Sequence, residues 1–96
     1  MKPEEVLEKL GFEKEGEDWV IYTIFEDESV FFGISETFVV EMGDDISGTD
    51  EAEVVGITYE EKYNSLSEAL NDVNIKKVFK QELRHLGIHQ IKERSE

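Results

Sequence analysis

The sequence predicts an α+β fold: a four-stranded antiparallel meander, preceded by one short helix and followed by two helices packed on one sheet face. Two observations carry the architecture. Apolar residues recur at helical spacing only near the two ends of the chain, whereas the middle is filled by alternating or continuously apolar runs separated by short turns. A third observation concerns what such a sheet displays. From Glu15 to Glu61 there are fifteen Asp or Glu and no Lys, Arg or His, and this stretch also carries almost every strand-forming run.

The first helix is expected over 3–10. Pro3 suits a first helical position, Glu4 and Glu5 sit where the helix dipole favours negative charge, and Val6, Leu7 and Leu10 form one apolar stripe. Gly11 fits a left-handed cap, Phe12 tucks beneath the helix, and Glu13 to Asp18 reads as a polar connector. Strands are expected at about 19–25, 30–34, 38–42 and 53–60. The first of these is apolar on both faces, as in a strand that is covered twice or lines an interface. Between the last two lies a nine-residue loop, Gly43 to Glu51, longer than a tight hairpin needs. Ser65-Leu66-Ser67-Glu68 is a capping box that opens a helix over 65–72. Ile75, Val78, Phe79, Leu83 and Leu86 fall on one side of a further helix over 75–86, which Gly87 ends, and the tail 92–96 frays. Residues 1–96 are read as one domain.

The net charge is −14, and it is segregated: residues 62–96 hold seven Lys or Arg against five acids. An interspersed ion-pair network, as in many heat-stable proteins, would mix the signs. A field of this kind repels nucleic acid and anionic membrane and hastens association with cationic partners. With no cysteine, disulfides and thiolate metal sites are excluded. No apolar run reaches the roughly 20 residues of a membrane span, and the amino-terminal Met-Lys-Pro-Glu-Glu lacks an apolar signal core. A cytoplasmic protein is expected.

In a meander, alternate connections lie at the same end of the sheet. One end then gathers Glu26, Asp27, Glu28, Asp44, Asp45, Asp50 and Glu51, the expected partner-binding set. The other end gathers Glu17, Asp18, Glu36, Glu60 and Glu61. Trp19, Tyr22, Phe31 and Val54 are expected to leave apolar area on the uncovered sheet face, with Tyr22, Phe31 and Val54 as an interface that would also serve a homodimer.

Other constellations point less far. The acidic loop lacks the alternating ligands and the bidentate Glu of a calcium-binding helix–loop–helix. His85 and His89 are four apart, but Gly87 stands between them, so no metal or cofactor is expected. Neither His falls in the acidic stretch, no Ser occupies a nucleophile elbow, and no glycine-rich phosphate loop is present. Lys76, Lys77, Lys80 and Arg84 on the last helix are expected to lie against the acidic rim or face water rather than bind nucleic acid.

The expectation is therefore a non-catalytic protein that binds a basic protein surface, in its most concrete form a nucleic-acid mimic that inhibits a nucleic-acid-binding or defence protein. A second expectation is an acidic accessory subunit or chaperone of a basic client, similar to small acidic secretion chaperones in charge and size only. An enzyme or metal-binding domain is the third.

Overall fold

The computed structural model describes residues 2–45 and 55–87. Helix α1 (Pro3–Leu10) starts where the Lys2 backbone N–H donates to the Glu5 carboxylate at 2.9 Å. It ends at Gly11, whose φ of 106° lets its N–H donate to the Leu7 and Glu8 carbonyls.

Five strands follow: β1 (Glu13–Glu15), β2 (Asp18–Phe25), β3 (Glu28–Ile34), β4 (Val39–Asp45) and β5 (Val55–Lys62). Their order in space is their order in the chain, and every neighbouring pair is antiparallel. The sheet thus has five strands, not the four expected. Glu13–Glu15, read as a connector, is the additional one. All three of its residues are exposed, so it carries no apolar alternation from which a strand could be read. Gly16, at φ 62°, turns it into β2.

The β2–β3 turn is a two-residue hairpin in which Glu26 and Asp27 both have positive φ, 52° and 68°. The β3–β4 loop is closed by the Ser35 hydroxyl, which accepts the Val39 N–H at 3.2 Å, and it places Phe38 at φ 67°. Between β4 and β5 the register shifts at Met42/Gly43, and a side chain at Gly43 would overlap the Gly56 carbonyl. Strand β4 also takes in Gly43, Asp44 and Asp45, three residues expected to belong to the long loop.

Three short helices complete the described chain: α2 (Leu66–Leu70), α3 (Val73–Val78) and α4 (Lys80–His85). Ser65 caps α2 by accepting the Glu68 N–H, while the Glu68 carboxylate accepts the N–H of Asn64, one residue earlier than a simple capping box. The single helix expected over 75–86 is broken at Phe79, where φ is −102° and ψ is 25°. Its ring packs against Phe12 and Phe32, with centroids 5.6 and 5.7 Å away. That tertiary seat outweighs an uninterrupted helical period.

Cross-strand partners share a face, so the register sorts the sheet into two sides. Trp19, Val30, Phe32, Ile34 and Val40 point inward and form one core cluster with Val6, Leu7 and Leu10 of α1, Phe12, and Ala69, Leu70, Ile75, Phe79 and Leu83 of the carboxyl-terminal helical segment. The opposite side of the sheet carries Val20, Tyr22, Ile24, Phe31, Gly33, Val39 and Glu41.

Candidate functional site: an acidic sheet with one open face

The hairpin turn places Glu26 and Asp27 at the sheet end where β4 finishes and β5 begins. Glu28 pairs with Phe25 beside that turn, and Asp44 pairs with Val30 on the next strand, so four of the predicted carboxylate residues share this end. Asp45 is the last residue of β4, opposite Val55 in the ladder. Asp50, Glu51 and Val54 lie outside the described residues. The Lys77 ammonium stands 5.8 Å from the centre of the Phe25 ring, so α3 brings a cation close to this end.

The opposite end holds Glu17, Asp18 and Glu36 together with Glu60 and Glu61 at the close of β5. Lys62 reaches back there to donate to the Thr37 carbonyl at 3.1 Å.

The open face is more informative than either end. One row of residues runs across all five strands: Glu13, Val20, Gly33, Glu41 and Glu60 are successive cross-strand partners. A second row begins with Glu15 and Asp18. In the centre, Tyr22 and Phe31 pair across β2 and β3, their rings 5.2 Å apart and tilted at 52°. Tyr22 is 40% exposed and Ile24, further along the same face, 65% exposed. This face is therefore apolar in its middle and mostly acidic on both flanks, with Lys62, the cross-strand partner of Val39, as a cation on the β5 side. A groove of about 270 Å³ lies beside β1, lined from both sides of the sheet by Gly11, Glu13, Glu15, Val20, Ile21 and Tyr22.

The electrostatics of this face are visible at Glu41. Partial burial, then the neighbouring charges of Glu60 and Asp18, then a hydrogen bond with Glu60 push its carboxyl above the ordinary glutamate range. Gly33, between Val20 and Glu41 in the row, has no side chain to separate the flanks. Lys14, the one cation of β1, points to the other side, where its ammonium lies 5.2 Å from the centre of the Trp19 ring.

Sequence reasoning missed Glu13, Glu15 and Glu41 as members of one surface. Glu41 stands between inward-facing Val40 and Met42, and alternation alone marks it as outward. What it meets depends on the strand register, which local pattern does not determine.

A second polar cluster has a different character. Asp72 is buried, 1% exposed. One of its oxygens accepts from the Tyr59 and Tyr63 hydroxyls at 2.6 and 2.7 Å, and the other from the Asn74 and Ile75 N–H groups at 2.8 and 3.2 Å. Both oxygens are occupied, which suits a clamp joining β5 to the start of α3 rather than a catalytic base. Burial, with the bond to Asp72 next, raises the pKa of both phenols above the usual tyrosine value.

His85 lies exposed in the last turn of α4, and His89 is outside the described residues. Among the described residues, no group of three or more His, Asp or Glu side chains is arranged to hold a metal ion, and no helix is long and apolar enough to cross a membrane. No family model, no curated protein and no solved structure matches this chain.

Proposed function

We propose that this chain is a non-catalytic acidic binding protein that engages a basic surface of another protein, most concretely as a nucleic-acid mimic that inhibits a nucleic-acid-binding or defence protein. The observation that carries the reading is the crowding of Glu41, Glu60 and Asp18 on a face whose middle is apolar. Like charges held this close cost folding free energy, and a cationic partner offsets that cost. The acidic hairpin turn adds to it. Residues with positive φ in a two-residue hairpin are ordinarily Asn, Asp or Gly, so Glu26 is locally unfavourable there.

The exposed apolar middle favours a second reading, an accessory subunit or chaperone that holds a basic client permanently. Salt separates the two. The protein is immobilised, a cell lysate is passed over it, and retained proteins are eluted with salt or with duplex DNA in excess. A mimic releases its partner in both eluents and loses it when Asp27, Asp44, Glu41 and Glu60 are neutralised together. Retention indifferent to salt, DNA and neutralisation removes the mimic and leaves the accessory subunit.

A further inference from the structure

Resting on the reading of a basic partner, we infer that the open sheet face recognises arginine: a guanidinium of the partner lies on the Phe31 ring and pairs with Glu41 and Glu60. The argument starts at Gly33. A side-chain carbon there would stand 2.9 Å from Cζ of Phe31 and 3.2 Å from Cε2, so the Phe31 ring lies along β3 over the position where a side chain is missing. Across the ladder Gly33 faces Glu41, and Glu41 faces Glu60. An aromatic surface and two carboxylates thus follow one another along a single row.

Arginine uses both at once. Its guanidinium is planar, weakly hydrated and able to stack on a ring while its edge donates two parallel hydrogen bonds to a carboxylate. A lysine ammonium is a strongly hydrated point charge that can approach a ring or a carboxylate but cannot stack flat on the one while forking to the other. Partial burial first, and then repulsion from Glu60 and Asp18, raise the Glu41 pKa, and such a cation relieves the repulsive part.

The occupant is a basic segment of another protein rather than a second copy of this chain. A two-fold contact through the face would bring its acidic flanks close to those of the second copy, opposing like charges around the apolar middle.

Two labelled peptides test the assignment, one alternating Arg with Leu and one alternating Lys with Leu. Fluorescence anisotropy at low salt gives their affinities. The arginine peptide is expected to bind the wild-type protein about threefold to tenfold more tightly, with the largest amide shifts at Gly33 and Glu41. Phe31→Leu weakens the arginine peptide more than the lysine peptide and so removes the preference. Glu41→Gln weakens the arginine peptide without loosening the fold, which thermal melts of both variants verify. Equal affinity for the two peptides, or a preference that survives Phe31→Leu, overturns the assignment. If Asp27→Asn with Asp44→Asn then weakens both peptides, the basic-partner reading stands and binding belongs to the hairpin end. If neither peptide binds the wild type, both readings fall. Self-association in sedimentation runs that Phe31→Leu abolishes gives the face to a second copy and also overturns the proposal.

Discussion

Glu41 and Asp72 show how differently two carboxylates behave in one small fold. Glu41 has its pKa raised by partial burial and by Glu60 and Asp18, so its folded form prefers the proton. The stability it confers is full below the ordinary carboxylate range and is lost as pH rises through the raised value. At neutral pH the ionised group therefore costs stability. Glu41→Gln is expected to raise the urea midpoint at neutral pH, by less than about 1 kcal/mol for so partly exposed a group. The gap between variant and wild type should narrow as pH falls and close only below the unfolded glutamate value of about 4.3, where Glu41 becomes protonated in both states. An unchanged gap would mean that packing, not charge, separates the two proteins. Asp72 matters through its hydrogen bonds, because four donors converge on it. Asp72→Ala removes a helix cap and strands two phenols, and the expected loss in urea unfolding is about 3 kcal/mol or more. The raised pKa values of Tyr59 and Tyr63 add a pH signature. Their contribution is present below about pH 10, the unfolded tyrosine value, and is lost above it. Circular dichroism should show unfolding begin in that alkaline range. From sequence, Asp72 was legible only as the last residue of the helix expected over 65–72. Its phenol partners, 13 and 9 positions away, were not, since only the packed fold brings them together.

The strands follow the same division between local and non-local information. Strands β2 and β3 were legible because they are short, strongly apolar runs bounded by polar turn residues, and the meander followed from their short connections. Strand β1 was hidden by its Glu-Lys-Glu composition, since an exposed edge strand has no buried face to betray it. The break between α3 and α4 was hidden by Phe79, whose apolar spacing is as good as that of a continuous helix. The β2–β3 turn lies between these cases: a turn was evident at Glu26 and Asp27, but not the positive φ of both residues. A two-residue hairpin of this geometry is best served by Asn-Gly. Replacing Glu26 by Asn and Asp27 by Gly is therefore expected to stabilise the fold, by about 0.5–1 kcal/mol measured in urea. The same pair of changes should weaken retention of a basic partner if the hairpin end contributes to it. A variant that gains stability and loses binding identifies the acidic turn as kept for its charge. A variant that gains stability and binds as before confines the interaction to the open face.

Segregated charge ties the elements together, because the stretch without cations is also the stretch that folds into most of the sheet. Folding gathers the described carboxylates of this stretch onto two sheet ends and one face, while Lys14 turns to the other side, Lys77 approaches the hairpin end and Lys62 borders the face beside Val39. Two consequences of opposite sign follow from this field. For the isolated protein, added salt screens repulsion among carboxylates, and the range of that repulsion shrinks from about 14 Å at 0.05 M to about 4 Å at 0.5 M. The melting temperature should therefore rise between these concentrations. For the complex, the same ions screen the attraction and oppose the release of counterions, so affinity for a basic partner should fall over the same range. A shell that serves only solubility predicts the first trend and no partner for the second. Differential scanning fluorimetry and binding isotherms, taken across one salt series, give both slopes. Stability and affinity that rise together with salt would place apolar contact, not charge, at the centre of recognition. Opposed slopes whose binding arm flattens in the Glu41→Gln, Glu60→Gln double variant would locate the charge that matters on the open sheet face.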